Sequence, residues 1–178
     1  ALSITACISI ILLFARHSAL RRTRQKWGAY GVHFGLALIA LGIAFSGAYQ
    51  QSAEAILDKG QTLKIDEYVI TYKKFEESVS PGLAAYQAVL EVKREDKLLG
   101  ILRPERRMYR KFDQPFAEAS VLPGFGDELY ATLLGFSEQE VISLQVRINP
   151  LVNWIWIGGV IMCILAWFVW QRLNRPKA

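Results

Sequence analysis

Two histidines occur in the 178 residues, and one of them, His33, stands inside a long apolar run. The run Trp27–Tyr49 carries no formal charge. Counted from Trp27 along a helix at ~1.5 Å per residue, His33 lies about 9 Å inside it. An ionisable group at that depth in an apolar span is a functional residue by default, because burying it away from water is costly. Its neighbours sharpen the case. At helical spacing, Ala37, Ala40, Ala44 and Gly47 share its face, so that strip is cleared of bulk. Gly28, Gly31, Gly35, Gly42 and Ser46 make a second small strip on the opposite side. Phe34, Leu38, Leu41 and Phe45 fill one flank; Leu36, Ile39 and Ile43 fill the other. The glycine strip suits close helix packing of the small-xxx-small kind. The alanine strip leaves room for something flat held by an imidazole, and a haem with axial His ligation fits that description. The alternative is that His33 hydrogen-bonds a neighbouring helix and the alanines serve packing alone. A single His cannot supply both axial ligands of a b-type haem, so the second would come from outside this chain. His17 sits in a basic loop and reads as a wet histidine without a ligand.

Other chemistry is mostly excluded. The middle of the chain has no His, so it holds no Ser-His or Cys-His pair and no His-based metal site. It has no Cys either, since Cys7 and Cys163 both lie in apolar runs, and thiol–disulfide exchange needs a reactive thiol in reach of water. Carboxylates are plentiful, but no pair stands out. The unusual stretch is Arg103-Pro104-Glu105-Arg106-Arg107-Met108-Tyr109-Arg110-Lys111, with Phe112 beside it. Arg103, Arg106 and Arg107 are equipped to receive carboxylates such as haem propionates, or an acidic partner. The alternative is a solvated loop that ties strand to strand through Glu105.

The elements that must position these residues follow from hydropathy and charge. The chain is 52% apolar and 21% charged, and its mean hydropathy of +0.21 is high for a soluble protein. That composition excludes a disordered chain, and two Cys exclude a disulfide-stapled domain. No Asp or Glu precedes Glu54 or follows Glu140. Residues 54–150 hold 13 Lys/Arg against 16 Asp/Glu, while the two ends carry only basic residues. A nucleic-acid surface would not be split around an acidic middle, so no nucleic-acid partner is expected; the pattern is that of a membrane protein with an aqueous domain between spans.

Three segments are apolar enough to be spans. Residues 1–15 are short of the roughly 20 a full crossing needs, and read as a truncated transmembrane helix whose start lies upstream. Residues 27–49 and 151–170 are of full length. Residues 16–26 and the tail 171–178 are basic without an acid, which holds both in the cytoplasm and places 50–150 on the far side. Trp27, Trp167 and Trp170 mark the inner edge of an aromatic belt; Tyr49, Trp154 and Trp156 mark the outer. From Gly60 to Ile148 the chain reads as β. Leu63 and Ile65, then Tyr68, Ile70 and Tyr72, alternate with one slip that suggests a bulge; Tyr86, Ala88, Leu90 and Val92 alternate with Gln87, Glu91 and Lys93. Six or seven short strands predict an antiparallel β-sandwich or barrel-like domain, with Tyr68, Ile70, Leu90, Val92, Leu129, Leu133 and Val146 inside. The fold class is therefore membrane α-helical, three spans with the first truncated, with an inserted extracytoplasmic β domain.

These residues resemble a known family. Gly31-Val32-His33-Phe34-Gly35, then Leu41-Gly42-Ile43 and Ser46, is similar to the last His-bearing span of the CcmF family of cytochrome c maturation proteins. Pro104-Glu105-Arg106-Arg107-Met108-Tyr109 resembles the family's Pro-Glu-(basic)-Arg-x-Tyr signature, and Asp127, Leu129 and Tyr130 its Asp-Leu-Tyr strand. Arg147, Asn149-Pro150-Leu151-Val152 and Trp154-Ile155-Trp156-Ile157-Gly158 resemble the start of its final span. The resemblance implies the C-terminal fragment of a haem lyase subunit in the bacterial inner membrane, with His33 as an axial ligand of a haem b that reduces the haem being delivered. It implies apocytochrome c, haem-delivery proteins and other maturation membrane proteins as partners, besides membrane lipid. The thiols that accept the haem vinyl groups would belong to the substrate, in keeping with a middle domain that lacks Cys. The family's Trp-rich segment, its flanking histidines and its first transmembrane His are not in this chain, so the fragment is not expected to be catalytic alone. Two other readings stay open: a membrane-anchored assembly scaffold, and a quinol-linked b-type electron carrier.

Overall fold

The computed structural model describes residues 24–111 and 114–173, together with Thr5, Ile8, Ser9 and Leu12, each of them helical. The rest of the expected first span, residues 16–23 with His17, Phe112, and the end of the tail lie outside the described residues. The chain forms two compact units, residues 1–49 with 150–178, and residues 50–149.

In the first unit, α1 (Arg24–Ala48) and α2 (Val152–Leu173) are the two apolar helices. Within them Tyr30–Ala48 and Val152–Gln171 are long and apolar enough to cross a bilayer, with mean hydropathy 1.8 and 2.0. The core helix of a soluble protein would be mostly buried; here only 22% and 6% of those segments is buried. α1 begins three residues before the expected span, because Arg24, Gln25 and Lys26 are good helix formers that simply extend it. α2 starts directly after Leu151, whose φ of 58° turns the chain out of the preceding strand and whose carbonyl accepts from the Trp154 N–H at 3.0 Å.

The second unit is a β-sandwich, with ten strands among the described residues. One sheet has the order β1 (Gln51–Leu57), β10 (Ile142–Pro150), β9 (Asp127–Phe136), β8 (Ser120–Leu122). The other runs β2 (Thr62–Ile65), β3 (Tyr68–Ser80), β4 (Leu83–Arg94), β6 (Glu105–Tyr109), β7 (Phe116–Glu118). β5 (Lys97–Leu102) lies on β4 next to the stretch that β6 occupies. β7 and β8 are separated by Ala119 alone yet pair in different sheets, so the chain turns the corner between them and gives the barrel-like character.

The slip expected between Ile65 and Tyr68 is not a bulge. It is the two-residue turn Asp66-Glu67 between β2 and β3, with Asp66 at φ 51°. The bulge falls further on, at Lys73 between Tyr72 and Lys74. Glu95 and Asp96, both at positive φ (49° and 62°), make the polar turn between β4 and β5 in the primed form that suits strand twist. β1 precedes the expected β region, since Gln51-Ser52-Ala53-Glu54-Ala55 has no β-branched or aromatic residue to announce a strand. Its pairing with β10, Gln51↔Ile148 through Leu57↔Ile142, closes the four-stranded sheet.

All seven expected core residues are buried, with Ile70, Leu90, Val92, Leu133 and Val146 fully so. Tyr72 is also fully buried and ties the core to the β9–β10 turn: its hydroxyl donates to the Glu140 carbonyl at 2.9 Å. Burial, then the nearby Glu140 charge, pushes its pKa up to about 12. Leu90 lies at the centre of this cluster, on β4 between β3 and β5. Leu90→Ala is expected to cost ~2–5 kcal/mol, because the neighbours cannot all collapse into the space. The loss is measured as faster amide hydrogen exchange across β3 and β4 in the otherwise intact protein.

Candidate functional site: the His33 face and the arginine strand

The orientation of α1 within its unit is set by its glycines. A Cβ on Gly28 would meet a methyl of Val169, and one on Gly31 a methyl of Leu165. A Cβ on Gly35 would sit 2.7 Å from the Gly158 carbonyl oxygen, and one on Gly42 would sit 3.0 Å from that of Leu151. Gly158 returns the contact: its Cβ would lie 2.5 Å from the Gly35 carbonyl. Without side chains at these points the backbones of α1 and α2 approach each other closely, which is how helices associate in a medium as apolar as their own surfaces.

The face away from α2 is the other one. His33, Ala40, Ala44 and Gly47 are exposed along α1. Ala37 is the exception in the strip. It is 8% exposed and belongs with Leu38 to a small cluster with Phe34, Leu41, Trp154 and Ile161. The small side chain of Ala37 is therefore covered, whereas Ala40 and Ala44 stay exposed on the face of His33. The face therefore places an exposed imidazole beside the small side chains of Ala40 and Ala44. Those are the features a protein surface needs to hold one axial position of a flat macrocycle. Among the described residues no group of three or more His, Cys, Asp and Glu is gathered to hold a bare metal ion.

The basic stretch is a strand rather than a loop. Glu105–Tyr109 forms β6, so successive side chains alternate between the two sheet faces: Arg106 is set apart from Arg107, while Arg103, before the strand, is linked to Arg107 through Gln87 and Glu105. Arg107 bonds Glu105 through Nε at 3.0 Å and pairs with Glu118 on β7 at 2.8 Å. Arg106 on the opposite face donates to the Leu134 carbonyl of β9. Arg103, at the break between β5 and β6, donates from Nη1 to Glu76 and to Gln87, both at 3.2 Å. The hydrogen bond from Lys74, opposed by desolvation and helped by the charges of Lys74 and Arg103, holds the Glu76 carboxyl below its usual range. Hydrogen bonds to Glu105, then to Tyr109, likewise raise the Arg107 pKa. Glu105 does tie strand to strand, by accepting from the Gln87 amide on β4. The residues that sequence reasoning missed are Glu76, Gln87 and Glu118. They reach the arginines only through strand pairing, and no local spacing announces them.

Comparison with known proteins places the chain. The family described as the CcmF C-terminal beta-sandwich matches residues 48–150. The chain is 31% identical over 165 residues to the cytochrome c-type biogenesis protein CcmF of Escherichia coli strain K12, which covers 89% of this chain and 25% of that protein. It is 29% identical over 140 residues to CcmF of Pseudomonas aeruginosa, 79% of this chain and 21% of that one. To the NrfE protein of Haemophilus influenzae it is 25% identical over 153 residues, 86% of this chain and 24% of that one. Among solved structures, one titled cytochrome c heme lyase CcmF superposes with a TM-score of 0.76 at 22% identity, over 94% of this chain and 29% of that chain. The fold is thus shared over nearly the whole length. The chain spans about a quarter of the length of these relatives.

Proposed function

This chain belongs to the CcmF family of cytochrome c-type biogenesis proteins, and from that premise we propose that it is the C-terminal part of a haem lyase subunit in which His33 is an axial ligand of a transmembrane haem b. The observation that carries the reading is the division of α1 into two faces: an exposed imidazole beside Ala40 and Ala44 on one, and glycines committed to α2 on the other. A haem held there supplies one-electron chemistry, suited to reducing a second haem on its way to apocytochrome c. The chain's own residues perform the binding and the exclusion of water. His33 would hold the iron through an imidazole nitrogen, Ala40 and Ala44 would admit the ring, and the surrounding apolar helix would keep solvent away.

α1 and α2 are read as membrane spans, with the basic residues at the distant ends of both retained in the cytoplasm. The β-sandwich then stands on the extracytoplasmic side of the bacterial inner membrane, where apocytochrome c and the other maturation proteins meet. Its partner contact is assigned to Arg103 rather than to Arg107 on exposure: both are ion-paired within the domain, but the Arg103 side chain is 50% exposed and that of Arg107 35%. The domain has no thiol to offer, so the bond-forming sulfurs come from the substrate.

One preparation of the full-length protein tests the reading. A pyridine haemochrome spectrum of the purified protein is expected to show b-type haem. In spheroplasts, external protease is expected to cut only within residues 50–149 on this part of the chain. A haem-free protein that still supports assembly of maturation complexes would favour the scaffold reading instead.

A further inference from the structure

β5 and β8 belong to different sheets, and at one corner of the sandwich they come together: a Cβ on Gly100 would sit 2.8 Å from a Leu122 methyl. Two local features open a cleft there. The first is a bulge. Val92 pairs with Gly100 and Lys93 with Leu98, so Leu99 is the extra residue of β5 and leaves the regular alternation of the strand. The second is the loop before β9. A Cβ on Gly124 would collide with the Asp127 carbonyl oxygen, so the loop folds back this tightly only with glycine there. Phe125 is left in the loop with 76% of its surface exposed, and Asp127 opens the strand.

The cleft has a volume of about 250 Å³. Leu99, Leu122 and Phe125 give it apolar walls, and Tyr68, Arg94 and Asp127 give it polar ones. Size and charge narrow what it can take. Sites that enclose drug-sized ligands run to ~300–1,000 Å³, so this one has room for a single long side chain and not for a macrocycle. Its charges are unevenly matched. Glu67 engages Arg94 at close range, and the guanidinium lies over the Tyr68 ring, 5.4 Å from the centre. Asp127 reaches the same guanidinium only at 4.0 Å, beyond the ~2.7–2.9 Å of a charge-assisted hydrogen bond. One cation is thus shared by two carboxylates, and the one that lines the cleft has the weaker hold on it. Its charge is felt there: burial, then the Asp127 carboxylate, pushes the Tyr68 pKa up. A second cation would complete the set. Phe125 adds an exposed aromatic ring to the same wall, and guanidinium is the cation that both forks onto a carboxylate and stacks on such a ring.

We propose that this cleft receives an arginine side chain of a partner polypeptide: the guanidinium pairs with the Asp127 carboxylate and stacks on Phe125, and the methylene stem runs along Leu99 and Leu122. Lysine is served less well, since its ammonium is a point charge that neither forks nor stacks flat. The inference stands on the β-sandwich alone and uses neither haem nor the reading of α1 and α2 as spans. It also calls for the opposite charge from the contact assigned to Arg103, which takes an acidic group. A partner that satisfies both presents a base and an acid at separate points, which fixes its orientation on the domain.

Saturation-transfer NMR on the full-length protein in phosphatidylcholine nanodiscs tests this, with empty nanodiscs as the blank. The probes are three capped pentapeptides, Gly-Ser-X-Ser-Gly, with arginine, its neutral isostere citrulline, or glutamate at X. The side-chain methylene protons of the arginine peptide are expected to receive several-fold more saturation than those of the other two. Asp127→Asn should bring the arginine signal down to the citrulline level, and Phe125→Ala should lower it with the carboxylate still in place. Glu138→Gln, at an exposed position in the β9–β10 turn, should change nothing. Equal saturation of the arginine and citrulline peptides on the unaltered protein overturns the proposal. So does an arginine preference that survives Asp127→Asn, or that Glu138→Gln lowers equally, because the cation is then held by diffuse surface charge. A preference for the glutamate peptide overturns it as well, by making Arg94 the group that binds. The comparison of peptides needs no substitution, and Phe125 is exposed enough that its replacement does not threaten folding.

Discussion

Replacing His33 by alanine in the full-length protein is expected to strip or weaken the b-type haem while leaving the amount of inserted protein unchanged. The two outcomes separate because the residue contributes to them through different physics. Insertion depends on the apolarity of α1, which rises when an imidazole becomes a methyl group. Packing of α1 depends on the glycine face, and His33 lies on the other side, exposed. What would be lost is the imidazole nitrogen proposed to hold the haem iron. The haem signal and the yield of c-type cytochrome should both fall, and added imidazole should restore part of the haem signal through the space that Ala40 and Ala44 leave. Ala40→Phe tests the same surface with the ligand in place. Ala40 is the better site than Ala37, because Ala37 is already covered and a larger side chain there would also disturb Phe34 and Leu41. Ala40→Phe should lower haem content; Leu41→Phe, on a flank, should be milder. A His33→Ala protein with a full b-haem spectrum and normal cytochrome c maturation would return the residue to a structural role.

How much of this was legible in the sequence depends on whether a residue's partner is fixed by local geometry. α1 could be read in detail because one helix brings residues three and four apart onto a face. The split into a glycine side and a His33 side therefore follows from the sequence of Gly28–Gly47 alone, and the contact with α2 agrees with it. Only Ala37 departed: it is buried in a cluster that includes Trp154 and Ile161 of α2, which a helical wheel of α1 does not place. In the β domain the alternating cores of β3, β4, β9 and β10 were equally plain. The failures share one cause. β1 has small and polar residues whose strand character comes from pairing with β10, ninety-odd residues away in the chain. The arginines looked like one basic cluster because they are close in sequence, yet a strand sends Arg106 and Arg107 to opposite faces. Their partners Glu76 and Glu118 belong to other strands. The exposure of Leu98, Leu99 and Ile101 was invisible for the same reason: it is set by the pairing of β5 with β4, not by local spacing.

Gly35→Leu is expected to lower haem and folded protein together. A leucine at Gly35 needs space that is already taken. Its Cβ alone would fall 2.6 Å from the Met162 Cγ and 2.7 Å from the Gly158 carbonyl oxygen. Met162 has rotamers to move through, but the carbonyl is helical backbone and moves only if α2 moves. Gly158 faces Gly35 across the same contact, so neither helix offers a gap nearby. Overpacking of this kind costs ~1–3 kcal/mol where side chains can adjust, and more where backbone must. In an apolar medium, separating the helices also forfeits the close van der Waals contact that holds them, with no burial from water to replace it. The measurements are the thermal stability of the detergent-solubilised protein and its haem content, and both should drop. Gly47→Leu is the matched control: the same side chain on the same helix, at a position where a Cβ would meet nothing within 4 Å. It should leave stability unchanged. The two glycine substitutions and His33→Ala then sort the helix by mechanism. Loss of haem at constant stability belongs to the ligand face, and loss of both belongs to the helix contact. If Gly35→Leu were as stable as Gly47→Leu, α1 and α2 would not be packed through their glycines in the membrane, and the open face of His33 would have to be reassigned.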